Sequence, residues 1–565
     1  MTPDPRSTYS RLLDERRNVA AALERRHRAL GYAKLAAAVL AIAIVALALT
    51  RAASLILWVL LPAAAFVFLV VLHDRVLAAI RRQGRAARFF ENGLARLAGR
   101  WPGTGESGER YHDPEHPYAL DLDLFGKGSL FELLCTARTL PGQDTLAAWL
   151  KSPAPPAEIH QRQLAVEELR PRTDLREDLA VLAEEIRSAV HPDALAAWGE
   201  APAGLRSSGF RTRLYLFTAL GLAGFLALWI SLANSAGALR LSPAAAALSG
   251  DLFLAALALN AWTLYRWRFV VGPVTAAADA AAAELRLLTE VLVRLEQERF
   301  TSPPLAALRA SLDSAAEPPS RRLARLRRLM EYLDSRDNVF VRILEPFLLW
   351  TPHLALRLED WRAESGPAVR RWLDAAGRME ALCSLASHAF EHPADPFPEF
   401  VPGGPLLEAT AIGHPLLPED RVVRNHVAIG GELRVLVVSG SNMSGKSTLL
   451  RTLGANAILA QAGSVVRAER LRLSPLALGA SIRVSDSLQG GISRFYAEIL
   501  RLRQILDLTA AGLPVLFLID EFLHGTNSHD RKIGAEALVR GLVERGAAGL
   551  ITTHDLALAD IAATL

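Results

Sequence analysis

Val435-Leu436-Val437-Val438-Ser439-Gly440-Ser441-Asn442-Met443-Ser444-Gly445-Lys446-Ser447-Thr448 decides the reading of this chain. An apolar strand runs directly into a loop with the spacing G-x-x-x-x-G-K-S, a complete Walker A pattern. Each fixed position has its own task. The glycines let backbone N–H groups curl around phosphate, Lys446 reaches the β/γ oxygens, and the Ser447 hydroxyl suits Mg²⁺. The helix expected from Lys446 onward turns its positive dipole end toward the same anion. Residues 440–448 are therefore the candidate ATP-binding loop.

A second apolar run, Val515–Ile519, ends in Asp520-Glu521. It reads as a buried parallel strand that delivers two carboxylates to the crevice at its carboxyl end. There Asp520 is placed for the Mg²⁺ shell and Glu521 for polarising a water. A third strand, Gly549–Thr553, delivers His554, a candidate γ-phosphate sensor. The expected catalytic set is Lys446, Glu521 and His554, with Ser447 and Asp520 on Mg²⁺.

These residues carry a family resemblance. The loop with Asn442-Met443 resembles the GPNMxGKST of the MutS family of DNA mismatch-repair ATPases. Gln461-Ala462-Gly463-Ser464 with Ala468-Glu469 is similar to its QxGSxVPAE, and Ser485-Asp486-Ser487-Leu488 to its SDDL. Gly491–Glu498 stands at its GRSTFMVE signature, Gly525-Thr526-Asn527-Ser528 at GTST, Thr553-His554 at its switch, and Gly413-His414-Pro415 at GRHP. Upstream, Ser129–Leu134, Thr139, Gly142, Trp149-Leu150, Pro153 and Arg162-Gln163 resemble the start of that family's helical core. The resemblance covers roughly residues 120–200 and 370–565. It implies an ATP- and Mg²⁺-dependent hydrolase, duplex or branched DNA as partner, and a homodimer joined through the ATPase domain. In that dimer Ser493 and Arg494 reach the partner's nucleotide; a surface arginine that caps the signature helix is the alternative for Arg494. Three departures shape these expectations. Arg494 stands where the family has Thr, Val422 where it has an aromatic for the adenine, and only eleven residues follow His554. The family's mismatch-reading domain is expected to be missing ahead of the core match, and its C-terminal extension to be missing or truncated.

Composition adds a different theme. Hydrophobic residues make up 51% of the 565, and the mean hydropathy of +0.20 prompts a search for membrane spans. Leu35–Thr50 and Ala52–Leu72 are uncharged apolar runs separated by Arg51, followed later by Leu214–Ala233 and a weaker Pro243–Tyr265 containing Asp251. Each pair is long enough for a hairpin across a bilayer, although buried soluble hairpins have the same composition. Arginines crowd the feet of both hairpins, and the connecting loops carry Arg51 and Arg240. The positive-inside rule then predicts a multi-pass protein of the inner (plasma) membrane with its soluble parts in the cytoplasm. Two cysteines, Cys135 and Cys383, exclude a disulfide framework, and neither has zinc-ligand spacing. A net charge of +4 is compatible with nucleic acid and with anionic lipid alike.

The expected organisation is a basic segment with a hairpin (1–110, spans at about 35–72), a helical MutS-core-like segment (111–205), a second hairpin (206–270), a helical lever-like segment (271–400) and a MutS-type ATPase domain (401–565). The fold class is an α/β P-loop NTPase domain of the ABC/MutS type after a mostly helical region. Thr275–Glu298 reads as one long helix, and Arg321, Arg325 and Arg328 as a solvated or phosphate-contacting face. The functional expectation is a membrane-anchored MutS-like ATPase acting on DNA. An ABC-type transporter is the alternative, since Leu488-Gln489-Gly490-Gly491 superficially resembles LSGGQ. That stretch follows Lys446 by about 45 residues, too closely for a transporter's helical subdomain.

Overall fold

The computed structural model describes residues 4–50, 57–186, 191–313, 317–441, 443–483, 494–521, 523 and 528–554. The helical region contains α1 (Pro5–Thr50), α2 (Leu60–Leu97), α3 (Leu130–Leu134), α4 (Leu140–Lys151), α5 (Pro156–Leu169), α6 (Thr173–Ile186) and α7 (Pro192–Glu200). It continues with α8 (Ser208–Ser235), α9 (Pro243–Glu296), α10 (Pro303–Leu312), α11 (Pro319–Asp334), α12 (Val339–Leu348) and α13 (Trp350–Glu391). The α/β region follows: β1 (Glu399–Phe400), β2 (Leu406–Ile412), β3 (Asn425–Gly430), β4 (Val435–Ser439), α14 (Lys446–Ala462), β5 (Arg470–Leu473), β6 (Ala477–Ser481), α15 (Arg494–Leu508), β7 (Val515–Asp520), α16 (Ser528–Glu544) and β8 (Ala548–Thr553).

Packing divides the chain into two compact units, and each draws on several sequence segments. The first joins residues 1–137, 143–184 and 380–565; the second joins 138–142 and 185–379.

In the first unit, β4-β8-β7-β6 form a parallel sheet, as the apolar runs lead one to expect. Phe517 and Ile519 of β7 are buried with Leu502 and Ile505 of α15 and Val539 and Leu542 of α16. A second sheet, β1-β5-β2-β3, is mixed and was not legible as such. Its strands are short, and on its solvent side Arg472 pairs with Glu408 and Arg470 with Glu399, so no apolar run announces it. The strap at residues 114–124 closes the open side of β6: Ala480 N donates to Pro117 O (2.9 Å). Asp121, fully buried, accepts the amides of Ile482 (2.7 Å) and Arg483 (2.6 Å) on one carboxylate oxygen. Leu122 fills the space left by Gly454, where an added Cβ would meet it at 2.6 Å.

The same unit contains α1 packed along α2. Their basic halves form a stalk whose arginines meet carboxylates of α6: Arg16 with Glu177, Arg82 with Asp178, Arg88 with Glu184. In the second unit, α8 packs on α9, and α9 runs through Pro273 without a break. The apolar run Pro243–Tyr265 and the long helix expected at 275–298 thus fall in one element of 54 residues. Among the described residues, α1, α2, α8 and α9 are long and apolar enough to cross a membrane, and only 6–17% of their apolar windows is buried within the protein.

Candidate nucleotide site at the sheet edge

The strand register assembles the site. Ser439 lies opposite Thr553, and Asp520 opposite Thr552, so β4, β8 and β7 end together at one carboxyl edge. Gly440 N donates to Thr553 O (3.3 Å) and Glu521 N to Thr552 O (3.1 Å), which locks the three strand ends side by side. The loop then turns into α14 through Gly445, whose φ of 89° is a left-handed conformation that glycine adopts without a Cβ clash. Met443 also takes a positive φ of 66° and is fully exposed at the loop tip.

Lys446 is buried, and its ammonium donates to Gly440 O (2.8 Å) and Ser441 O (2.9 Å). Its Nζ lies 3.6 Å from Glu521 Oε1, and His554 Nδ1 lies 3.3 Å from the same oxygen. The three expected catalytic residues are therefore one cluster, with Glu521 at its centre. Thr552 Oγ1 donates to Asp520 Oδ1, which aims that carboxylate. Ser447 sits in the first turn of α14. A serine hydroxyl and one carboxylate are hard oxygen donors that fit Mg²⁺, which keeps most of its shell for water and phosphate.

The turn after the carboxylates is held in an unusual shape. Glu521 and Leu523 have φ of 41° and 60°, a conformation that non-glycine residues keep only when their surroundings enforce it. The enforcement comes from α15 and α16: buried Glu498 accepts the Leu523 amide, and Arg531 Nε donates to Leu523 O (3.0 Å). Glu498 ends the signature stretch in sequence, and its part in shaping the Glu521 turn was not foreseen. Asn442, Ser493 and the SDSL and GTN stretches lie outside the described residues. Arg494 opens α15, and its side chain is likewise outside them.

A cavity of about 520 Å³ adjoins the loop, lined by Ser444, Gly445, Lys446 and Thr448 on one side and His414, Val422, Val423 and Asn425 on the other. Val422, which stands where the resemblance expects an aromatic for the adenine, thus lines the space beside the loop. His414 is buried, and burial pushes its pKa down to about 4. Its Nδ1 accepts the Leu416 amide (3.2 Å), so the ring is neutral. Sequence quoted His414 for resemblance alone; its place in the cavity wall was missed.

The MutS domain V family matches residues 436–565, which contain this loop, both carboxylates and His554. Over this stretch the chain is similar to the MutS family. An endonuclease MutS2 of Thermus thermophilus is 40% identical over 142 residues, which are 25% of this chain and 18% of the relative. An endonuclease MutS2 of Thermomicrobium roseum is 28% identical over 342 residues, covering 50% of this chain and 42% of the relative. A DNA mismatch repair protein MutS of Natronomonas pharaonis is 33% identical over 222 residues, 37% of this chain and 25% of the relative. The chain thus spans less than half the length of these curated relatives.

Proposed function

We propose that this MutS-like chain is a membrane-anchored ATPase that binds and hydrolyses ATP with Mg²⁺ and couples the cycle to duplex or branched DNA. One observation carries the reading: Lys446, Glu521 and His554 converge at the start of α14, beside Asp520. The amides of the loop and the helix N-terminus attract the triphosphate. Lys446 exchanges its two carbonyl contacts for phosphate oxygens, Glu521 orients the attacking water, and His554 reports whether the γ-phosphate is present. Ser447 and Asp520 would hold Mg²⁺, which supplies charge neutralisation when bound. The site gains a further donor when Ser493 and Arg494 of a second copy reach it, the basis for a homodimer.

DNA enters the proposal through the relatives, which are named for mismatch repair and endonuclease action. The bilayer enters through the four apolar helices and their arginine-flanked ends. With the basic feet inside, the ATPase domain lies in the cytoplasm.

The test is the ATPase rate of detergent-purified protein without DNA and with perfect, mismatched and branched duplexes, at several salt concentrations. Stimulation that fades with salt is expected, because phosphate contacts release counterions. Hydrolysis indifferent to every DNA would remove the DNA part and leave an ATPase serving a membrane process such as transport.

A further inference from the structure

α12 carries an apolar stripe that outruns its protein partners. At 100° per residue, Val339, Phe340, Ile343 and Phe347 fall on one side and Arg342 and Glu345 on the other. Phe347 is buried, its ring 5.4 Å from Phe225 of α8 and stacked at 6.1 Å on Phe253 of α9. Two further contacts pin this end to the hairpin. Asn260 Nδ2 donates to Pro346 O (2.8 Å) and to Phe217 O (3.0 Å). Gly221 admits α12 because it lacks a side chain: a Cβ there would lie 2.2 Å from Phe347 O. The rest of the stripe projects beyond the hairpin, with Val339, Phe340 and Ile343 exposed by 66%, 77% and 61%.

Orientation follows from α13. Thr218 Oγ1 lies 2.8 Å from His353 Nε2, and Arg211 pairs with Asp360 at 2.8 Å. Going up α8 by seven residues means going down α13 by seven, so the start of α13 runs antiparallel beside the foot of α8. Between α12 and α13 the chain bends by 80°, at Leu349 with φ of 46°. α12 therefore lies across the hairpin rather than along it. Its docking point, Gly221, is eight residues above Arg213, about 12 Å along the helix at 1.5 Å per residue. Exposed Tyr215, Tyr265 and Phe269 sit at the same foot of the hairpin, and Arg268 stacks on the last two. Aromatic rings beside arginine mark the level where a bilayer meets water.

We propose that α12 is an interfacial membrane helix lying in the cytoplasmic leaflet, with Val339, Phe340 and Ile343 among the acyl chains and Arg342 toward the headgroups. The occupant is lipid because the exposed stripe is continuous, through Phe347, with the bare apolar sides of α8 and α9. A helix of this kind sits about 5–10 Å into the boundary between headgroups and acyl chains. The inference rests on the membrane reading of the α8/α9 hairpin.

The test uses full-length protein in phosphatidylcholine–phosphatidylglycerol vesicles, with a polarity-sensitive fluorophore on Phe340→Cys, Ile343→Cys, Arg342→Cys or Leu226→Cys. Cys135 and Cys383 are buried, and the unsubstituted chain serves as the labelling blank. Blue-shifted emission quenched by acyl-chain nitroxides is expected at 340, 343 and 226, with emission at 342 quenched by aqueous iodide. A lipid signal at 226 with aqueous signals at 340 and 343 would overturn the α12 proposal and leave the hairpin in the membrane. An aqueous signal at 226 as well would overturn the membrane reading and α12 with it. Two positions on the stripe keep the test decisive if either substitution disturbs folding.

Discussion

Replacing Glu521 by Gln should separate nucleotide binding from hydrolysis. The amide keeps the size of the side chain and removes the negative charge that lies 3.6 Å from Lys446 and 3.3 Å from His554. Lys446 retains its contacts to Gly440 O and Ser441 O, so the loop keeps its shape, and the backbone of the turn keeps its hold through Thr552 O. Loss of a competing carboxylate leaves the lysine at least as available to phosphate. Affinity for ATP should therefore be unchanged or slightly increased. Turnover should fall by about 10²–10⁴, equivalent to about 3–5 kcal/mol of barrier, because a water-positioning base contributes on that scale. Phosphate release and equilibrium binding of a fluorescent ATP analogue, measured on the same detergent-purified sample, give the two quantities. Lys446→Ala is the contrasting control and should lose binding itself, since a buried phosphate-facing charge disappears. Hydrolysis by Glu521→Gln within a few-fold of wild type would refute the role, as would a loss confined to binding.

Mixing Lys446→Ala subunits with Ser493→Ala, Arg494→Ala subunits should restore hydrolysis that neither variant shows alone; full activity of the second variant by itself, with no ATP-dependent dimer, would remove the shared site. His414 has its pKa pushed from 6.5 down to about 4, so the unfolded chain takes up a proton before the folded one does, and stability falls as pH drops through that window. The loss should approach about 3 kcal/mol by pH 4, and His414→Asn should flatten melting temperature against pH by that amount; an unchanged slope would contradict it. Asp121→Ala should destabilise the first unit by about 2–4 kcal/mol, because two amides lose a charged acceptor. Asp123→Ala should cost no more than about 1 kcal/mol, its partner Arg483 being half exposed. Equal melting shifts for the two would show that ion pairing, not amide capping, holds the strap.

Much of the site was legible because phosphate chemistry forces residue types into short stretches. The loop at 440–448 and the carboxylates at 520–521 each follow an apolar strand, and their meeting needs only parallel neighbours in register. The order β4-β8-β7 supplies that. The long helices were legible for a related reason, since bare apolar runs such as 35–50 and 214–233 lack any breaker. Their true lengths were not. α1 continues through a basic stretch, and α9 continues through Pro273, because the helix ends where packing and capping stop it, not where hydropathy changes.

What sequence could not show is which distant polar groups bury each other. Tyr9, Arg96 and Glu391 are a case: the tyrosine hydroxyl donates to Glu391 Oε1 (3.2 Å), and Arg96 forks onto both carboxylate oxygens (2.8 and 2.5 Å). Burial, with the Glu391 charge beside it, pushes the Tyr9 pKa up to about 12, so the phenol remains a donor across the physiological range. In isolation each of these residues reads as surface. Only the meeting of α1, α2 and the end of α13 makes them interior, and no local pattern encodes a pair separated by 382 positions. Breaking such a buried pair from one side costs about 3–5 kcal/mol, far more than any exposed stalk bridge such as Arg17–Glu91. This buried knot therefore holds the stalk to the end of α13 more firmly than an exposed bridge such as Arg17–Glu91 does. Asp121 does for the strap what Glu391 does for the stalk: a buried carboxylate satisfied by groups far away in sequence. Both anchors lie in the same compact unit as the nucleotide loop. A conformational change at the loop thus acts on a body whose strap and stalk are held by buried carboxylates, and these anchors resist separation more strongly than the surface pairs around them.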